Sequence, residues 1–146
     1  MRTIGLLMLG GMLMSSCVET TMESPTEPET DGVFIHISEG YNDAHRALMP
    51  LKMATIMADD KDVLIYMDIH AVNFLVKGSE DLTHDGFESA HTYIQQLLDM
   101  EVGIYACPTC LGVAGFKPSD LMEGVKTAEK DKFFNFTKGR IITLDY

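Results

Sequence analysis

Two cysteines, Cys107 and Cys110, are separated by two residues and carry the clearest chemical signal in this sequence. They follow an apolar run that predicts a strand, and Pro108 suits the first turn of a helix, where a missing N–H costs nothing. A helix start stabilises anions through its free N–H groups and can lower the pKa of a thiol. The resulting thiolate is the nucleophile of persulfide transfer and disulfide exchange, and it is also a metal ligand.

Four uses of this pair are open from the residue types alone. Cys107 could carry a persulfide with Cys110 as a resolving thiol, or the two could cycle as a dithiol/disulfide redox couple. They could bind zinc or copper, but two cysteines supply only half of a tetrahedral zinc shell, so His36, His70 or a neighbouring subunit would have to complete it. They could also be a structural disulfide or buried thiols in a non-catalytic module. A second Cys-x-x-Cys at zinc-ribbon spacing does not occur.

Histidines and acids near predicted strand ends supply candidate partners for the cysteines. His70 follows the second predicted strand and could donate or accept a proton beside them, because histidine titrates near neutral pH. Glu39 and Asp68 also come at strand ends and could line the same cleft. His36 lies inside a strand and is interpreted as a buried, satisfied core residue. The remaining three histidines are interpreted as surface residues.

Composition excludes several classes of function. The formal net charge of -11 and the absence of a basic stripe argue against binding to nucleic acid. The stretch Ser38-Glu39-Gly40-Tyr41 has one glycine and an acid where a phosphate would sit, so it is not a phosphate-binding loop. Neither a serine nucleophile elbow nor a His-Glu-x-x-His motif occurs. No cofactor is predicted.

The first seventeen residues have the pattern of an export signal. Arg2 precedes the apolar run Ile4–Met14, and two serines then precede Cys17. The run is too short to span a bilayer as a mature helix, which needs about 20 residues. A cysteine after small residues resembles the lipobox of bacterial lipoproteins. That resemblance implies removal of residues 1–16, lipidation of Cys17, and anchoring in the cell envelope outside the cytoplasm.

The rest of the chain divides into a spacer and one domain. Residues 17–31 combine the lipidated cysteine with an acidic stretch rich in threonine and proline, which cannot bury enough apolar surface to order itself and is predicted to be disordered. Residues 32–146 alternate predicted strands and helices. Strands are predicted over 32–38, 63–67, 102–106 and 139–144, and helices over 44–58, 70–76, 86–100, part of 107–116 and 119–125.

This alternation predicts a single three-layer α/β domain with a mostly parallel sheet and helices on both faces. Such sheets keep their ligands at the carboxyl ends of the strands. The loops 38–41, 68–70 and 107–110 all follow predicted strands, so we expect them to converge on one edge of the sheet.

The segments HAVNFL, from His70, and VGIYACPTCLGVAGFKPSDLMEGVK, from Val102, resemble the DsrE/DsrF-like superfamily with its YchN-like fold. The resemblance implies about five strands and a homo-oligomer, often a trimer or hexamer. In sulfur-relay members a cysteine after the third strand passes a persulfide to a partner protein, and Cys107 matches that position. The sequence departs from the family at Cys110, which many members lack, and at Ala71, where a glycine is usual. It also departs in its predicted export, since the sulfur-relay members are cytosolic.

Together these features predict a membrane-anchored DsrE-like domain that handles sulfur, persulfide or thiol redox chemistry, with Cys107, Cys110 and His70 as its site residues. Its sulfur donor and acceptor proteins are unknown. The alternative is a non-catalytic interaction or metal-binding module on the same fold, whose metal, if any, would be held by the same three residues.

Overall fold

A computed structural model describes residues 29–133 and 135–146. The predicted signal peptide, Cys17 and most of the predicted spacer lie outside the described residues. The elements are, in chain order, β1 (Gly32–Ile37), α1 (Ala44–Met57), β2 (Asp62–Met67), α2 (Ala90–Asp99), β3 (Gly103–Ala106), α3 (Pro108–Val113), β4 (Lys126–Thr127), α4 (Lys130–Phe133) and β5 (Ile141–Asp145), with 3₁₀ turns at Ala71–Phe74 and Pro118–Asp120.

The five strands form one sheet in the order β4-β3-β2-β1-β5, and every pairing in it is parallel. This confirms the predicted α/β class and the implied number of strands. Parallel sheets of this kind are covered on both faces, and their strands are correspondingly apolar. Ile35, Ile37 and Ile65 have no exposed surface and form the centre of the core under α1 and α2.

The strand order determines which connections cover each face. From β1 to β4 the chain steps in one direction across the sheet, so right-handed crossovers place α1, α2 and α3 on one face, called here the helical face. The return from β4 to β5 must cross the opposite face, called here the second face. A Cβ added to Gly32, which points away from the helical face, would meet Phe136 and Thr137 of that return segment. In the part of the chain that the structure describes, this single short crossover therefore makes up the third layer.

Local signals explain where the long helices begin. Asp43 caps α1 by accepting a hydrogen bond from the Arg46 N–H at 3.1 Å, and Ser89 caps α2 by accepting one from the Thr92 N–H at 3.3 Å. Helix α2 therefore starts four residues later than predicted. Pro50 is buried inside α1. Among the described residues, none of the helices is long and apolar enough to cross a bilayer.

The stretch after α3 departs from the sequence prediction. The helix predicted over 119–125 is wrong: a 3₁₀ turn at Pro118–Asp120 is followed by an isolated antiparallel bridge between Leu121 and Val76. Strand β4, which the sequence did not locate, follows after the short turn at residues 122–125. Its two residues are held by pairing with β3, a tertiary contact that local hydrophobic periodicity cannot show.

Candidate functional site

Backbone hydrogen bonds join the three loops that follow β1, β2 and β3. The His70 N–H donates to the Ser38 carbonyl at 3.0 Å, and the Cys107 N–H donates to the Met67 carbonyl at 2.8 Å. The loops 38–41, 68–70 and 107–110 thus lie side by side at the carboxyl edge of the sheet.

Gly40 is required where the first two loops meet. A Cβ at Gly40 would lie 2.6 Å from the backbone oxygen of His70, closer than real Cβ contacts allow. The backbones of Gly40 and His70 pack closely, and this contact fixes the position of the loop that carries His70.

We expect Gly40→Ala to destabilise the domain by roughly 2 kcal/mol, because the backbone at His70 must move to admit the methyl group. Gly112→Ala is the matched control: Gly112 lies inside α3 with no atom within 4 Å of its added Cβ, so this change should stabilise by about 0.5–1 kcal/mol. Urea unfolding of both variants tests the pair. Equal midpoints for the two variants would contradict this role of Gly40.

The two thiols of the Cys-x-x-Cys motif are free and half-buried at the start of α3. Cys107 is the residue that caps the helix, and its Sγ accepts the N–H of Cys110 at 3.4 Å. Pro108 occupies the first turn, as the sequence suggested. The short helix therefore orients Cys107 and Cys110 toward each other.

The surroundings of the two thiols shift their pKa values in opposite directions. Burial raises the pKa of Cys107, but hydrogen bonds from the Tyr66 hydroxyl, from Cys110 and from the Thr109 N–H outweigh it and lower that pKa overall. Burial, together with the hydrogen bond to Cys107, raises the pKa of Cys110. Cys107 is therefore the more acidic thiol of the pair.

An open, largely apolar cavity of about 380 Å³ lies beside Cys110. Its walls are Ile69, His70, Asn73, Cys110, Val113 and Ala114. The structure thus brings His70, exposed at this wall, together with Cys110. Ile69 has a left-handed backbone (φ 43°), which a β-branched residue rarely adopts, and its N–H hydrogen bonds to the Cys110 sulfur. The strained turn supplies a polar contact to the second thiol.

The two acidic residues predicted to line the cleft, Glu39 and Asp68, lie in different surroundings. Glu39 contacts Asn42 and lies 3.9 Å from the Arg46 guanidinium, so it belongs to the start of α1. Asp68 faces His36 instead, with Asp68 Oδ1 3.0 Å from His36 Nε2. Both atoms are buried, and the contact between them is electrostatic because its direction departs from hydrogen-bond geometry. Asp68 therefore belongs to a cluster on the second face.

The interpretation of His36 as a buried, satisfied core residue is wrong. His36 is a partly exposed side chain rather than a core one, with Nδ1 2.7 Å from Asp145 Oδ1, and its ring stacks on Tyr66. Strand alternation puts His36 and Tyr66 on the same face, and that signal could have found Tyr66. In the described part of the chain, no group of three or more His, Cys, Asp or Glu residues is placed to hold a metal ion.

Comparisons with known proteins identify the family and the fold. The profile of the DsrE/DsrF-like family matches residues 31–142. The crystal structure of the ychN protein from E. coli superposes with a TM-score of 0.61 and 17% identity, covering 78% of this chain and 99% of that one. The structure of MTH1491, a protein of unknown function from Methanobacterium thermoautotrophicum, superposes with a TM-score of 0.54 and 24% identity, covering 77% and 98%.

The search of curated proteins finds no significant match. The two solved structures share the fold of this chain, and the family profile spans most of its length. The chain belongs to the DsrE/DsrF-like family.

Proposed function

We propose that this protein is a sulfur carrier in which Cys107 accepts a sulfane sulfur from a donor persulfide and passes it to an acceptor thiol. The observation that carries the proposal is the half-buried Cys107 thiol at the carboxyl edge of the sheet, with its pKa lowered by hydrogen bonds. Membership of the DsrE/DsrF-like family supports it, and the sequence resemblance described above implies that Cys107 takes the place of the relay cysteine.

The lowered pKa suits both halves of such a transfer. On loading, the Cys107 thiolate attacks the outer sulfur of the donor persulfide, and the donor leaves as a thiolate. On unloading, the acceptor thiolate attacks the outer sulfur on Cys107, and Cys107 leaves as a thiolate. Thiolate exchange is fast when the leaving thiol has a low pKa.

Cys110 can discharge the carrier. Its thiolate would attack the inner sulfur of the Cys107 persulfide, forming a Cys107–Cys110 disulfide and releasing hydrosulfide. Because the pKa of Cys110 is raised, this thiol is mostly protonated near neutral pH, and the discharge is slow. The pair therefore favours transfer to a partner over loss of the sulfur.

Loading tests the proposal directly. The reduced protein is mixed with a cysteine persulfide donor, and peptide mass spectrometry locates the added sulfur, which we expect on Cys107. The same measurement separates Cys107 from Cys110 and Cys17. A sulfur atom on neither thiol of the pair, with the protein folded, would exclude the carrier role.

The pH dependence of alkylation checks the assignment of the nucleophile. Because its pKa is lowered, Cys107 should remain a thiolate, and stay reactive to iodoacetamide, at pH values where an ordinary cysteine is already protonated. Cys110 should react only at higher pH. Peptide-resolved labelling at several pH values measures both; the reverse order of the two thiols would contradict the assignment.

We also propose that the carrier is anchored in the cell envelope through lipid on Cys17, outside the cytoplasm, as the lipobox-like N-terminus suggests. Expression of the full chain in a bacterium should give a protein whose first residue is a diacylated Cys17 and which partitions into detergent. Cys17→Ser should abolish both properties. An unmodified Cys17 in the mature protein would refute the anchor without affecting the sulfur chemistry.

A homo-oligomer is part of the same proposal, because the family resemblance implies one. Light scattering of the reduced protein gives its mass in solution, and a monomer at all accessible concentrations would exclude self-association. The donor and acceptor are proposed to be thiol proteins that exchange sulfur with Cys107.

A further inference from the structure

Strand register puts a tyrosine and a histidine on the same face as the Cys107 sulfur. His36 of β1 pairs with Tyr66 of β2, and Tyr66 pairs with Tyr105 of β3. Alternate residues of a strand point to opposite faces, and the neighbours Met67 and Ala106 belong to the core on the helical face. His36, Tyr66 and Tyr105 therefore point to the second face. Cys107 follows Ala106 by one residue, which directs its side chain the same way.

We propose that Tyr66 is a positioning residue for the sulfur nucleophile: its hydroxyl donates a hydrogen bond to Cys107 Sγ, and His36, held by Asp145 and Asp68, keeps the Tyr66 ring in place. The hydrogen bond makes Cys107, rather than Cys110, the thiol that ionises first. Its relevance to sulfur transfer rests on the proposed function, whereas the hydrogen bond itself can be measured without any sulfur donor.

His36 is held from both sides. Its Nδ1 lies 2.7 Å from Asp145 Oδ1 on β5, and its Nε2 lies 3.0 Å from Asp68 Oδ1 after β2. The imidazole ring stacks on Tyr66, with centroids 5.5 Å apart and planes inclined by 29°. The ring of Tyr66 therefore packs against an imidazole whose two nitrogens each lie within 3.0 Å of a carboxylate oxygen.

Tyr66 can act only as a donor toward the thiolate. Burial, followed by the hydrogen bond to Cys107, raises the pKa of Tyr66 well above its usual value, so the phenol keeps its proton throughout the range in which cysteines titrate. A neutral hydroxyl that donates to a thiolate favours the ionised form of Cys107. The same hydroxyl offers nothing comparable to Cys110, whose pKa is raised.

Other titratable groups face this thiol and must be distinguished from Tyr66. Asp68 lies after β2, Cys110 on α3, and Asp145 approaches through His36. The two carboxylates disfavour a second negative charge nearby, and a protonated His36 would offset them. Because all four groups remain in a Tyr66→Phe variant, that variant removes the hydroxyl alone.

The test compares Tyr66→Phe with Tyr105→Phe in the reduced full-length protein. Tyr105 is the register neighbour of Tyr66 and also points to the second face, so it is a matched control. We expect Tyr66→Phe to move the midpoint of the Cys107 alkylation profile to higher pH and to lower its rate below that midpoint by roughly tenfold, the effect of one hydrogen bond to a charged group. Tyr105→Phe should leave the profile unchanged.

His36→Ala should shift the profile in the same direction by less, because Tyr66 remains but loses its brace. If Tyr66→Phe does not fold, 3-fluorotyrosine at position 66 replaces it. That more acidic phenol strengthens the donated bond and should move the midpoint to lower pH.

An unchanged profile in a folded Tyr66→Phe protein, or equal shifts in Tyr66→Phe and Tyr105→Phe, overturns the proposal. An unmoved midpoint with fluorotyrosine does the same. Persulfide loading of the unaltered protein is scored separately, so failure of the carrier role is distinguishable from failure of the Tyr66 role.

Discussion

Cys107→Ser is expected to eliminate persulfide loading completely, while Cys110→Ser is expected to retain it. A serine hydroxyl is not ionised near neutral pH and cannot form a persulfide, so the first variant loses the nucleophile. The second variant keeps Cys107 and removes the thiol that would discharge it as hydrosulfide. Its persulfide should therefore persist longer than that of the unaltered protein.

Intact-protein mass after exposure to a persulfide donor measures both variants, and the decay of the added mass measures the lifetime. The two substitutions are matched, since both thiols are half-buried at the start of α3 and both changes exchange only a sulfur atom for an oxygen. Loading that survives Cys107→Ser but not Cys110→Ser would reverse the roles. Equal persulfide lifetimes in the Cys110→Ser variant and the unaltered protein would remove the resolving role of Cys110.

Phe74→Ala is expected to cost about 3–5 kcal/mol of unfolding free energy, because a fully buried aromatic side chain leaves a cavity. Phe74 ends the 3₁₀ turn Ala71–Phe74, directly after His70, and its ring meets Tyr41 edge-on with centroids 6.3 Å apart. Denaturation in urea measures the loss. For a domain whose total stability is of the order of 5–15 kcal/mol, this change could unfold much of the population.

Val113→Ala is the control for this large effect. Val113 is 86% exposed at the wall of the cavity beside Cys110, so its truncation should change stability by less than about 0.5 kcal/mol. A small loss in Phe74→Ala, comparable to that of the control, would mean that the turn after β2 repacks and does not depend on this ring.

The asymmetry of the two sheet faces explains how polar groups come to surround Cys107. Three connections cover the helical face, and buried aliphatic side chains fill it. Among residues 29–133 and 135–146, only the β4–β5 connection crosses the second face. The carboxyl end of that face can therefore hold His36, Asp68 and Asp145 around Tyr66 without enclosing them in an apolar core. Cys107 lies next to this polar cluster.

The sequence alone determined the α/β class, the long helices and four of the five strands, because apolar periodicity and turn residues are local signals. It also determined that the loops carrying His70 and Cys107 follow parallel strands and so share an edge. Strand β4 could not be predicted from the sequence, because two residues, one of them the exposed Lys126, are too few to show a hydrophobic periodicity. Only their pairing with β3 defines them as a strand.

Only the tertiary structure shows what surrounds the two thiols and which of them is the more acidic. Cys107 and Cys110 are three residues apart in a symmetrical motif, and nothing in their spacing separates them. The difference comes from Tyr66 on another strand, from the N–H groups of Thr109 and Cys110, and from the burial of both sulfurs. The pKa of a thiol depends on neighbours in space, and Tyr66, which lies 41 positions before Cys107 in the chain, becomes its neighbour only when the sheet has formed.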